Sequence, residues 1–221
     1  MELSNIPKHT NTLVIGGGTA GSIIAGRLAS RLNQKVILLE AGPDYGSFQD
    51  ENWPSDLLNG TVIGETHDWG YKSSSRTGQP NHNLERARVI GGCSSHNGCI
   101  SIWGSHVDYD TWESYGNKGW SAQEVLPFFN KVNKMLRVRD FKKSEITPFH
   151  EACVSSIVKT GIPRTNKLND LYEDRGVDIA PANNLNGKRF NTAFGYLDPV
   201  RDNGYLTIVG DALVNKININ K

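Results

Sequence analysis

The chain has little cysteine: three residues among 221, and Cys93, Cys99 and Cys153 show no metal-ligand spacing. An odd, scattered set of thiols makes no disulfide framework, so no metal site is expected and a reducing cytoplasm is the default compartment. There is no excess of either charge: 24 Lys+Arg against 23 Asp+Glu leave a net charge of +1. That balance excludes a strongly basic nucleic-acid binder and a polyacidic tail protein. No apolar run approaches the roughly 20 residues that a membrane helix needs. Met1 to Thr10 lack the apolar stretch of a secretory signal. With 37% hydrophobic and 21% charged residues, the chain is also not one that stays disordered throughout. Its length suits one large domain or two small ones. What is plentiful is glycine, 23 residues, clumped at Gly16-Gly17-Gly18 and Gly91-Gly92. Such clumps mark backbone that turns sharply or comes close to a ligand.

The first forty residues read as one unit. Thr12-Leu13-Val14-Ile15 has the β-branched, apolar character of a buried strand. From Ala20 to Leu32, Ile23, Ile24, Leu28 and Leu32 recur at helical spacing, with small Ala25, Gly26 and Ala29 between them, so a helix can lie close to a sheet. Val36-Ile37-Leu38-Leu39 is a second buried strand, closed by Glu40. Strand, glycine turn, helix and strand form a βαβ unit and imply an α/β fold with a parallel sheet. Periodicity then dissolves from Ala41 to Arg86, a length that in a compact protein is usually functional or draped over a ligand. Helices resume at Ser121, where Ser121 and Glu124 make a capping box, and at Thr147-Pro148, with Gly161 as a stop. Leu206 to Val209 reads as a strand, and the residues after Val214 read as the start of another.

Gly16-x-Gly18-x-x-Gly21 follows a strand and opens a helix, and Glu40 comes 19 residues after Gly21. This is the arrangement of a dinucleotide-binding fold. Gly16 permits the tight turn, Gly18 lets the backbone approach a pyrophosphate, and Gly21 allows close helix–strand packing. The helix start, with Thr19 and Ala20, offers N–H groups and a positive dipole end to phosphates. The Glu40 carboxylate can accept from a ribose diol and would repel a 2′-phosphate, which points to NAD or FAD rather than NADP. A solvated residue at a strand end is the plain alternative for Glu40.

A second glycine loop, Arg88-Val89-Ile90-Gly91-Gly92-Cys93-Ser94-Ser95-His96-Asn97-Gly98, separates those two cofactors. Here the sequence resembles the glucose–methanol–choline (GMC) oxidoreductases, whose first signature is a similar Arg-x-aliphatic-Gly-Gly-small-Ser stretch followed by Asn-Gly. The resemblance runs on through Gly104, Asp108-Tyr109-Asp110, Trp112, Gly119-Trp120 and Phe128-Phe129. It reappears at Arg189-Phe190-Asn191-Thr192-Ala193 and Tyr196-Leu197. It therefore covers essentially the whole chain. Where most members carry an aliphatic residue before the Asn, this chain has His96, and the segment is similar to that of choline oxidase-like members. In those the histidine is joined to the flavin 8α-methyl group. An imidazole nitrogen suits that role, being nucleophilic near physiological pH, and such a bond would raise the flavin's reduction potential. A histidine capping a turn is the structural alternative.

The resemblance implies a Rossmann-like FAD-binding domain, incomplete, with the start of a second, substrate domain at about residues 145–186. Across residues 1–221 it carries onto Gly16, Gly18, Thr19, Ala20, Gly21, Glu40 and Ala41 a cofactor-binding role, together with Trp69, Arg88, Val89, Gly92, Cys93, Ser94, His96, Asn97, Gly98, Cys99, Ile100 and Val214. For several of these a plainer part is open: core aromatics at Trp69 and Tyr71, a surface ion pair at Arg88, core packing at Val214. Cys93 and Cys99 read as small buried thiols rather than a redox pair. The family oxidises an alcohol by hydride transfer to flavin N5, assisted by a His/Asn pair in a C-terminal half that this chain is expected to lack. None of His9, His67, His82, His96, His106 and His150 occupies that motif. The expected protein is thus the front portion of a choline-like, FAD-dependent alcohol oxidase or dehydrogenase, inactive alone. Its partners would be a small alcohol and a C-terminal half or partner subunit, with a homodimer open to the full-length form. A non-catalytic cofactor-binding remnant and a NAD-dependent dehydrogenase are the alternatives.

Overall fold

The computed structural model describes residues 6–31, 34–74, 80–165, 167–173 and 175–219. The chain divides into two compact units. One is built from the chain up to Gly98 and from Leu185 onward, the other from Cys99–Asn184.

In the first unit the βαβ segment forms as its sequence dictates. Strand β1 (Thr12–Ile15) leads through a glycine turn into helix α1 (Thr19–Arg31) and back into strand β2 (Val36–Leu39). Leu32, expected to extend the helix, lies outside the described residues. β1 and β2 are parallel, Leu13 opposite Ile37, and β2 pairs in parallel with the late strand β5 (Leu206–Val209), Ile37 opposite Thr207. The sheet order is therefore β1-β2-β5 with β2 in the centre. Alternation explains which side chains are covered: Val36, Leu38 and Leu206 join Ala25 and Ala29 of α1 in one core with Val89, Ile90, Phe190, Phe194 and Leu197. The small helix residues matter for a specific reason. A Cβ at Gly26 would lie 2.1 Å from the Tyr196 carbonyl oxygen, so α1 meets the helical segment Ala193–Leu197 backbone to backbone.

The aperiodic stretch has structure of its own. A short helix α2 (Ser55–Leu58) precedes a two-stranded ribbon in which Trp69 N–H donates to Arg86 O (3.0 Å) and Leu84 N–H to Tyr71 O (2.8 Å). Its residues are largely exposed, and without a buried face a ribbon leaves no apolar alternation to read. The expected strand after Val214 does not form among the described residues. Ile217 and Ile219 are exposed there, with no neighbouring strand to pair with.

The second unit is helical. Helices α3 (His106–Ser114), α4 (Ala122–Met135) and α5 (Pro148–Lys159) are capped at Ser105, Ser121 and Thr147, and both Ser105/Asp108 and Ser121/Glu124 make capping boxes. Trp103, Tyr109 and Phe129 pack around buried Ala122, Val125 and Leu171. Two-residue strands β3 (Asn184–Leu185) and β4 (Lys188–Arg189) follow. Among the described residues no helix is long and apolar enough to cross a membrane.

Candidate functional site

The two glycine loops, about seventy residues apart in the chain, meet at the carboxyl end of the sheet. Gly91 N–H donates to Gly17 O at 2.7 Å, and the Gly92 backbone packs on Gly18, where a Cβ would lie 2.6 Å from the Gly18 Cα. Gly92 also holds φ +54°, a left-handed conformation that favours glycine. At Gly21 the constraint is steric: a Cβ would stand 1.9 Å from the Gly16 carbonyl oxygen. Gly18, by contrast, has nothing closer than Gly92, so its outer side is open to a ligand.

The loops enclose a cavity of about 320 Å³ lined by Ile15, Gly16, Gly18, Leu39, Glu40, Ala41, Trp69, Ala87, Gly92 and Ala212 to Val214. Among the described residues the N–H groups of Gly18, Thr19 and Ala20 at the α1 start find no acceptor, and the first turn of α1 carries no acid to neutralise them. An anion in this cavity would meet free donors and the positive end of the helix dipole. The cavity thus suits a dinucleotide: there is room beside Gly18, donors stand at the helix start, and a carboxylate closes β2.

That carboxylate is more constrained than its sequence position suggests. Glu40 is buried and accepts from Gly17 N–H through Oε2 (2.7 Å) and from Gly42 N–H through Oε1 (2.8 Å). It ties the first glycine loop to the segment after β2, which the reading as a solvated residue does not allow. Burial raises its pKa, and hydrogen bonds from Gly42 and Gly17 and the charge of Arg88 counter this in part. Each carboxylate oxygen keeps a second lone pair for a ribose hydroxyl. Arg88 makes no ion pair among the described residues. It donates to Ala41 O (3.1 Å) and stands over the Trp69 ring, its Cζ 5.1 Å from the centroid. Trp69 and Tyr71 stack 5.8 Å apart, and Tyr71 is half exposed, so the pair is not core.

After Gly92 the chain makes one 3₁₀ turn, Gly92–Ser95. Ser94 donates to Gly91 O (2.6 Å) and meets Thr192 Oγ1 (2.8 Å), while Ser95 donates to Ile90 O (2.9 Å) and accepts from Asn191 Nδ2 (2.8 Å). With both serines turned inward, Cys93 faces out and is exposed, not buried as its size suggested, while Cys99 is buried at the start of the second unit. Both are free thiols. His96 closes the turn, buried, its Nε2 2.9 Å from Thr66 O. A carbonyl only accepts, so Nε2 donates to it. A Cβ at Gly64 would press to 2.6 Å from the imidazole Cδ2. The carbonyl is itself held: Thr66 donates through N–H (3.1 Å) and Oγ1 (2.7 Å) to Asp56. Burial pushes the Asp56 carboxyl up, but the Thr66 hydrogen bonds outweigh it and leave the pKa lowered.

Of the residues singled out from sequence, Gly16, Gly18, Glu40, Ala41, Trp69, Gly92 and Val214 share the cavity wall. Thr19 reaches Gly91 O with its hydroxyl (3.4 Å), and Ala20 is exposed beside it. Val89 is wholly buried in the core, Asn97 and Gly98 are exposed, and Cys99 and Ile100 belong to the second unit. His96 does not line this cavity. Sequence reasoning missed Ile15, Leu39, Ala87, Ala212 and Leu213, which are ordinary apolar residues, and the part played by Arg189. That side chain is fully buried, and its guanidinium donates to the carbonyls of Asp56, Leu57, Val62, Ser95 and Asn97. It binds the His96 turn to the α2 region with no acid on it among the described residues.

Residues 10–221 match the family described as GMC oxidoreductase. The chain belongs to that family. The matched portion is the family's N-terminal, FAD-binding part. The chain is 32% identical over 226 residues to an oxygen-dependent choline dehydrogenase of Paraburkholderia phymatum, covering 95% of this chain and 39% of the relative. It is also 32% identical over 221 residues to one from Yersinia pseudotuberculosis, covering 93% and 39%. Among solved structures, pyridoxine 4-oxidase from Mesorbium loti is similar with a TM-score of 0.75 at 25% identity, over 92% of this chain and 42% of that one. A formate oxidase shares the fold with a TM-score of 0.71 at 23% identity, over 91% and 38%. This GMC chain thus spans about two fifths of the length of the curated relatives it matches.

Proposed function

We propose that this chain is the FAD-holding part of an oxidoreductase acting on the CH–OH group of a choline-like alcohol, with His96 as a point of covalent attachment. The observation that carries the reading is the closure of Gly92 on Gly18 beside Glu40. The names of the relatives support the substrate class. FAD, when bound, supplies the hydride acceptor. This chain's residues do the holding: the α1 start and Gly18 take the pyrophosphate, Glu40 the ribose, and Ala212 to Val214 the adenine side of the cavity. Thr66 O holds the His96 ring by one nitrogen. The second unit serves the substrate side, and alcohol turnover requires the portion of the relatives that this chain does not span. The partner that this reading calls for is a region supplying that portion.

The test is a spectrum followed by acid precipitation. The purified chain, after incubation with FAD, is expected to show flavin absorbance, which a nicotinamide-dependent dehydrogenase lacks. Acid is expected to leave the yellow colour in the pellet for the native chain and to release it from His96→Ala. Colour wholly in the native supernatant defeats covalent attachment; no flavin absorbance at all defeats the cofactor reading. Choline oxidation by the isolated chain overturns the need for a partner.

A further inference from the structure

A second histidine stands behind His96. His67 holds a left-handed backbone, φ +59°, which histidine tolerates better than most residues but which its surroundings must impose. Three contacts impose it. Arg88 N–H donates to His67 O (2.6 Å), Nδ1 lies 2.6 Å from Thr66 Oγ1, and Nε2 lies 2.7 Å from Tyr45 Oη. Tyr45 is in turn anchored in the core. Its ring centroid is 5.8 Å from that of buried Trp53, which packs 4.7 Å from Phe194 and donates its indole N–H to Gly46 O (3.0 Å).

The Asp56 end sets the direction of these bonds. Burial pushes the Asp56 pKa up, the Thr66 hydrogen bonds more than offset it, and the group is a carboxylate near neutrality. A carboxylate only accepts, so the single Thr66 hydroxyl proton goes to Asp56 Oδ2 (2.7 Å). Thr66 Oγ1 is then left to accept, and His67 Nδ1 donates to it. Thr66 is exposed, so packing alone does not fix it. Its side chain is instead gripped between Asp56 and His67, and its carbonyl receives His96 Nε2 (2.9 Å). Gly64 N–H donates to His96 O (3.0 Å) and closes the same loop on the His96 backbone. Neither His67 nor Tyr45 lines the 320 Å³ cavity. We propose that His67, braced by Tyr45, is a positioning residue for His96, setting through Thr66 where the imidazole stands for attachment to a flavin. The inference rests on the reading of His96 as the attachment point.

The test uses His67→Gly and His67→Asn. Glycine suits the left-handed backbone and removes the ring, whereas asparagine also accepts that backbone and keeps an N–H donor near the place of Nδ1. After incubation with FAD, total flavin uptake is expected to stay at the native level in both. The rate at which colour becomes acid-precipitable is expected to fall about tenfold or more in His67→Gly. It should recover to within about threefold of native in His67→Asn, and Tyr45→Phe should lower it about threefold. Uptake and attachment that fall together mark a merely structural residue and overturn the proposal, as does native attachment in His67→Gly. The flavin-free chain gives a second readout. In nitrogen-15 NMR the His96 Nε2 proton, held by Thr66 O, is expected to exchange slowly in the native chain and in His67→Asn, and about tenfold faster in His67→Gly. Equal exchange in the native chain and His67→Gly overturns the brace. Colour that never enters the native acid pellet defeats the attachment reading, and the exchange comparison then decides the brace by itself.

Discussion

The two units manage charge in opposite ways. In the first, polar groups are sunk into the protein and held by backbone: Glu40 by two N–H groups, Arg189 by five carbonyls, Ser94 and Ser95 by Gly91 O and Ile90 O. Two of its ion pairs are inside, Arg201 on Asp44 (2.7 Å) and on Asp198 (2.9 Å), with all three side chains below 20% exposed, and the longer Lys188–Glu51 contact (3.9 Å) is at the surface. In the second unit the charged groups stay at the surface and pair with one another, Arg139 with Glu145 and Arg164 with Glu151 and Asp178. Buried groups cost desolvation and return definite geometry, because each alternative arrangement leaves a donor or acceptor unmet. Exposed pairs contribute little. Loops that must stand a fixed distance from a cofactor are found where the first strategy operates.

Arg189→Met should break this contrast most forcefully. The change keeps much of the volume but strips the donors from five carbonyls around α2 and the His96 turn. A loss of at least about 3 kcal/mol in unfolding free energy is expected, since hydrogen bonds to a charged group are worth more than neutral ones and each buried acceptor left bare adds a penalty. Arg189→Lys recovers only part, because three donors on a flexible stem do not reproduce the planar fork. Urea unfolding followed by tryptophan fluorescence measures both variants. An unchanged midpoint for Arg189→Met would show that the buried strategy carries no stability.

Matched glycine substitutions sharpen the comparison at lower cost. Gly92 in the first unit and Gly161 in the second both hold positive φ, +54° and +92°. Alanine at either position pays about 1–2 kcal/mol for the left-handed backbone. Only at Gly92 does the new Cβ meet backbone, the Gly18 Cα at 2.6 Å; at Gly161 nothing lies within 4 Å. Gly92→Ala should therefore take up less flavin on incubation with FAD, while Gly161→Ala loses only the backbone contribution to stability and takes up flavin as the native chain does. Equal flavin uptake in the two variants would mean that the loop closure does not define the site.

What could be read from sequence follows the same division. The Gly16 to Gly21 turn and the Ser121/Glu124 cap were legible because each feature is completed within a few residues. Arg189 was visible as part of a family stretch, yet its work was not, since its acceptors lie 92 to 133 residues away in the chain. The cavity wall from Ala212 to Val214 was invisible for that reason, apart from Val214 itself. The position of Glu40 was legible, but the two hydrogen bonds it accepts from Gly17 and Gly42 N–H depend on a loop closure that spacing alone does not express. Periodicity failed on the ribbon of residues 68–74 and 80–86, where exposure removes the pattern it detects.

The smallest effect belongs to the second unit and has a defined pH window. Hydrogen bonds from Arg139, and then from Lys142 N–H, hold the Glu145 carboxyl at about 2, below its usual 4.5. A depressed carboxylate adds stability that is complete above pH 4.5 and is lost as pH falls through about 2, because the unfolded chain takes up the proton first. Glu145→Gln should remove that contribution, so the stability difference between native chain and variant should be constant near neutrality and shrink between those two values. Both side chains are about one third exposed, 28% and 34%, and salt should diminish the difference further. Unfolding midpoints measured across the window at low and high salt provide the test. A difference that stays constant through the window, or one insensitive to salt, would place this pair with the buried groups of the first unit and erase the distinction between the two strategies.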